Sequence, residues 1–284
     1  MAPTFFAQLA AGCLLVVGVS DIRNSGWKYL RLMALVSFAL VFMALLLITW
    51  RDSATGSDSA AWNLSLTREV SLRALAIAGL SVTLAFTVVW LVVNTVQAEA
   101  IRSFQRIWPF VAGAACIIAS AALACRPDSG LPGARLVQPA GGDAVRAAMT
   151  TVLGALVLGG VTAGMLLGHR YLTDTDMPIA PLRRLTNIYL VALIVRIIWV
   201  AVLAWPIYGS TFTPSGGAMW IWIVLTIRGG VGLLGAAIFA WMIRDCVKTR
   251  ATQSATAIFY LSMVFVYLGE LAAQYLLRTE GLAV

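Results

Sequence analysis

Eight apolar runs, each near the length of a bilayer crossing, decide what this chain can fold into. They fall at about 4–20, 29–50, 72–95, 107–125, 145–168, 184–207, 219–243 and 252–277. A helix rises about 1.5 Å per residue, so runs of this size match the ~30 Å hydrocarbon core. No water is present there to satisfy backbone groups, which restricts spanning segments to helices or closed barrels. Barrel strands alternate apolar and polar residues over about 10 positions. These runs are continuous and longer, so helices are expected. The expected fold is an all-α polytopic integral membrane protein with eight transmembrane helices. It is read as one membrane domain over residues 1–284, divisible into two groups of four.

Composition agrees. Hydrophobic residues make up 61% of the chain and charged residues 11%, against roughly 25% charged in a soluble domain. The net charge of +8 is spread over short loops between apolar runs, which argues against nucleic-acid binding and for the positive-inside pattern. Arg23, Lys28, Arg31, Arg102, Arg106, Arg170, Arg183, Arg184, Arg244, Lys248 and Arg250 fall on one side. Arg51, Arg68, Arg73, Arg126, Arg135, Arg146 and Arg278 fall on the other. The richer side is expected to be cytoplasmic, with both termini outside and the chain in a bacterial cytoplasmic (inner) membrane. Trp50, Trp205, Trp220 and Trp222 then lie near outer helix ends, and Trp108 and Trp241 near inner ends. Their indoles are expected at headgroup level.

The first run is the shortest. Leu9-Ala10-Ala11-Gly12-Cys13 has the outline of a lipoprotein cleavage box. No basic residue precedes it, and most of the apolar run follows the cysteine, so a retained helix is expected. The second and sixth runs share a pattern: Lys28-Tyr29-Leu30-Arg31-Leu32 and Leu182-Arg183-Arg184-Leu185 each open a run that reaches a tryptophan, Trp50 or Trp205. Four helices per unit would make a parallel repeat. The outer loops at 51–71 and 126–144 carry Ser, Gly, Pro and Asp, as solvated irregular backbone does. Pro206–Gly217 carries no charge and reads as a short turn.

The last run bears a polar stripe: Gln253, Thr256, Tyr260, Tyr267, Glu270 and Gln274. Steps of three and four put them on one helix face, read as the inward one. Glu270 is a carboxylate deep within a span. Arg196 and Arg228 lie inside the two preceding spans. Each buried charge costs at least about 2.5–3.5 kcal/mol unless it is paired or wet. An Arg–Glu–Arg group is the least costly arrangement, with Gly229, Gly230, Gly232 and Gly235 making room for it. Tyr260 and Tyr267 add hydroxyls and flat ring surfaces to a ligand pocket. Gly160, Gly164 and Gly168 in the fifth run stand four apart, as close helix packing requires.

His169 is the chain's one histidine. It excludes bis-histidine haem ligation and multi-histidine metal sites within the chain. Met165 is a same-helix neighbour and cannot be an opposite axial ligand. The four cysteines form no CxxC, and none is expected to bind metal. Asp174 and Asp176 lack a third ligand for a cation and are read as offsets to nearby arginines. His169 at the cytoplasmic mouth is a candidate for quinone-headgroup binding or proton transfer.

Leu268-Gly269-Glu270-Leu271 late in the last helix, with eight spans and both ends outside, resembles the membrane-anchor subunits of dimethyl-sulfoxide and polysulfide reductases. His169 followed by Pro181-Leu182-Arg183 is similar to that family's histidine and proline–arginine stretch. Here the insert after the histidine is longer, and the motif lies in the fifth span. The resemblance implies a haem-free quinol site and a soluble redox partner. The expected function is a membrane-anchor or quinone-interacting subunit of a bacterial electron-transfer complex. In it Glu270 or His169 accepts protons and Arg196 or Arg228 orients a quinone carbonyl. No covalently bound cofactor is expected; quinone is the candidate ligand, and the partners are the lipid bilayer and other membrane or redox subunits. Two alternatives stand beside it, a small-solute or anion transporter and a non-catalytic assembly subunit. No triad, phosphate loop or metal signature points to a self-contained enzyme.

Overall fold

The computed structural model describes residues 2–19, 27–54, 64–93, 102–124, 141–173, 177–208 and 218–279. Within them lie eight rods and no strand: α1 Ala2–Val19, α2 Trp27–Ala54, α3 Leu64–Val93, α4 Arg102–Ala124, α5 Gly141–Thr173, α6 Ala180–Tyr208, α7 and α8 Thr252–Thr279. Helix α7 has three consecutive parts: Ala218–Thr226, a π-helical stretch Ile227–Gly235, and Ala236–Lys248. Seven of the eight carry an apolar stretch long enough to cross a bilayer; α3 has a shorter one, Ala74–Trp90. The all-α polytopic expectation holds. Asp174, Asp176, Cys125, most of the two long outer loops and the 209–217 part of the Pro206–Gly217 turn lie outside the described residues.

The helices divide into two rings of four. In the first, α1 packs on α2, α2 on α3, α3 on α4, and α4 returns to α1. In the second, α5 packs on α6, α6 on α7, α7 on α8, and α8 on α5. The neighbour pattern is the same in both halves, which fits the four-plus-four division. The halves join chiefly through their first members, α1 against α5, supported by α4 against α5.

Helix α1 therefore sits at the centre. Residues from Thr4 to Val17 are buried around most of its circumference. Its small residues explain how. Lipid tails supply no hydrophobic drive between helices, so close van der Waals approach decides packing, and small side chains permit it. At Gly12 the approach is backbone to backbone: a Cβ there would lie 1.8 Å from the Ala155 carbonyl oxygen. A Cβ on Gly159 would lie 2.0 Å from the Gly12 carbonyl carbon. Cys13 is fully buried, and Cys116 points its thiol at the Ala7 carbonyl at 3.2 Å. Both act as small packing residues.

The glycines of α5 also serve packing. Gly164 and Gly168 receive Phe259 and Thr256 of α8, and Gly160 receives Tyr189 of α6. One tryptophan is covered by protein. Trp108 is 1% exposed and lies against Trp90 with ring centroids 4.7 Å apart. It lies near a helix end, and the neighbouring α3 covers it there. Trp50, Trp220, Trp222 and Trp241 are exposed, as interfacial or lipid-facing indoles are.

Gly12→Ala is expected to destabilise the protein by about 1–3 kcal/mol, because the added methyl forces the two halves apart. Gly229→Ala, where a Cβ meets nothing within 4 Å, is expected to stay within about 0.5 kcal/mol. Thermal unfolding of both variants in one detergent checks the contrast.

Candidate functional site: a buried Arg–Glu–Arg cluster

The close approach of α7 and α8 starts at two glycines. A Cβ on Gly232 would fall 2.4 Å from the Gly269 Cα, so the two backbones touch. Arg228 lies one turn before Gly232, and Glu270 directly follows Gly269. The contact thus carries the guanidinium to the carboxylate. Arg228 also sits near the start of the π-helical stretch. Gly229, Gly230 and Gly232 weaken the ordinary helical preference there, and π segments recur at functional positions. Gly154 of α5 completes the niche. A Cβ on it would lie 2.6 Å from Glu270 Oε2.

Arg196 of α6 approaches Glu270 side-on. Its Nε donates to Oε1 at 3.2 Å and its Nη2 to Oε2 at 3.1 Å. Arg228 donates from Nη1 to Oε1 at 3.1 Å. Exposures are 0%, 2% and 2% for Arg196, Arg228 and Glu270. Two cations share one anion, so the group carries a net single positive charge. Three nitrogens are left without acceptors: Nη1 of Arg196, and Nε and Nη2 of Arg228. Each group of this kind is a donor that never accepts. The cluster is therefore short of acceptors.

A polar path continues from Glu270 toward the chain ends. Gln274, one turn on, donates to the side-chain oxygen of Gln8 in α1. Gln8 Nε2 donates to the Thr151 carbonyl at 3.1 Å, and Arg278 donates to Thr4 Oγ1. Trp199 Nε1 donates to Thr150 Oγ1 at 3.0 Å. Thr4, Gln8, Thr150, Thr151, Gln274 and Arg278 line a narrow pocket that reaches Arg196 and Glu270. Its free space holds about one water-sized group.

No protein-family model matches the chain, and no curated protein or solved structure matches it. The geometry alone carries the functional reading. Among the described residues no group of three or more His, Cys, Asp or Glu is placed to hold a metal.

Of the residues singled out in the sequence, Arg196, Arg228 and Glu270 come together. Gln274 of the stripe lines the same pocket as Arg196 and Glu270; Tyr267, Tyr260, His169 and Gln253 do not join them. Tyr267 shares a hydrogen bond with Thr162 of α5 at 2.9 Å and meets Phe5 edge-on, centroids 5.4 Å apart. It belongs to the seam between the halves. Tyr260 is 42% exposed, and its hydroxyl lies 3.4 Å from Nδ1 of exposed His169. That pair stands ten residues, about 15 Å, from Glu270 along α8. Gln253 is exposed as well. Successive residues turn by about 100°, which puts Gln253 and Tyr260 at the margin of the stripe, beyond the cover of α5. Gly229 and Gly230 face open space instead of making room for the ion pair; Gly232 and Gly154 do that.

Gln8, Thr4, Gly154 and Arg278 were not singled out from the sequence. Thr4 and Gln8 did carry a signal: two polar residues four apart in an otherwise apolar run.

Glu270→Gln is expected to cost about 3–5 kcal/mol, since it leaves two buried cations uncompensated. Arg228→Met is expected to cost less, because the Arg196–Glu270 pair that remains is neutral and bidentate. Unfolding midpoints in detergent check this order.

Proposed function

We propose that the protein is a quinone-interacting integral membrane subunit of a bacterial electron-transfer complex. The observation that carries this reading is Arg228, buried within an apolar bundle with Nε and Nη2 lacking acceptors. A buried donor without an acceptor is costly, about 1–3 kcal/mol and more for a charged group. A ligand oxygen at that position removes the cost. A quinone supplies an uncharged carbonyl acceptor on an apolar body, which suits delivery from lipid. A fixed guanidinium beside that carbonyl favours the negative charge that reduction places on its oxygen.

The residues take distinct parts. Arg228 orients the carbonyl. Both Glu270 oxygens are engaged by guanidinium N–H groups, so Glu270 positions the arginines. One histidine rules out bis-histidine haem within the chain, and in this reading electrons come from a partner subunit, as the resemblance to the reductase anchors implies. The His169–Tyr260 pair lies at the other end of α8 and is a separate polar point.

The test is purification from native membranes with identification of co-purifying chains, followed by quinol-turnover assays. A redox subunit is expected to co-purify. Arg228→Gln is expected to lower turnover about tenfold or more in an assembled complex. A lone, stable protein that moves a small solute in proteoliposomes would sink the reading.

A further inference from the structure

Arg228 faces one side of the cluster and Arg196 the other. Arg196 forms part of the wall of the pocket toward the chain ends, where Arg228 does not. We propose that this pocket binds a small monovalent anion of about chloride size against Arg196, as the counter-ion of the Arg–Glu–Arg cluster.

Charge is the first argument. Arg196 and Arg228 share Glu270, which leaves one positive charge uncompensated among the described residues. Arg278 stands at the far end of the same pocket, where it donates to Thr4. An unpaired charge in a low-dielectric site is expensive, and a single bound anion removes that cost. Glu270 also lines the pocket, but its two oxygens already take three guanidinium N–H groups. It no longer opposes an anion as a bare carboxylate would.

Geometry is the second argument. Arg196 is fully buried and its Nη1 has no acceptor. A monovalent anion accepts from it and from the Gln and Thr groups along the wall. Gln274 keeps its donation to Gln8 and has a second amide N–H to offer. Size is the third. Room for about one water-sized group admits chloride with slight widening and rejects tetrahedral oxyanions such as sulfate. This inference does not depend on the quinone reading, because it concerns the opposite face of the cluster and needs no partner subunit.

The test uses the full chain in detergent, with chloride as probe. Unfolding temperature is followed as gluconate is exchanged for chloride at constant ionic strength, and ³⁵Cl line broadening is measured in parallel. Saturable stabilisation by chloride, with sulfate inert, is the expected result. Arg196→Gln is expected to abolish it, and Arg278→Gln to weaken the affinity about tenfold. Arg278 lies at the pocket mouth, so its variant keeps the test sound if Arg196→Gln does not fold. Equal, unsaturable effects of chloride and sulfate would overturn the proposal and leave water as the occupant. So would a folded Arg196→Gln that keeps the chloride response, or, where that variant does not fold, an unchanged chloride affinity in Arg278→Gln.

Discussion

A single carboxylate held between two guanidinium groups, away from water, fixes the second half of this molecule. In hydrocarbon the alternative to pairing is several kcal/mol of unpaired charge. The rotation and depth of α6, α7 and α8 must therefore agree at one point. Arg196 meets Glu270 through two parallel bonds, which specifies orientation as well as distance. Arg228 adds a third bond from the other side. Apolar packing alone would tolerate sliding of smooth helices; this contact does not.

Glycine makes that contact possible, and the same device joins the two halves. Gly232 against Gly269 brings α7 and α8 to backbone contact. Gly12 against Gly159 does so for α1 and α5. In each case a missing side chain lets the polar groups beside it reach one another. Arg228 reaches Glu270 beside the first pair. Gln8, one turn before Gly12, reaches Thr151 beside the second. Close packing and polar pairing are thus one arrangement seen at two scales.

The fold was largely legible because hydrocarbon leaves few choices. Run length set the helices, and an even split by four matched the rings. The Arg–Glu–Arg group was legible for the same reason: three charges at similar depth are one another's least costly partners. The remainder was hidden because it depends on which neighbour covers which arc. Tyr260 and Tyr267 share a stripe with Glu270, yet one faces outward to His169 and the other the seam at Thr162. Trp108 looks interfacial by position and is covered by Trp90. Gly154 could not be recognised, because its role is to leave space for an oxygen on a helix over 100 residues later.

The partners of α1 have a bearing on biosynthesis. Gln8 and Thr4 find theirs in Gln274 and Arg278 of α8, more than 260 residues later. Arg196 and Arg228 likewise precede the one acid that neutralises them. A nascent chain stopped before α8 therefore carries two stray cations and an unmatched amide in its membrane helices. Helix α8 is the stitch that draws α1 to the second half, and until it is in place the polar groups that await it are unmatched.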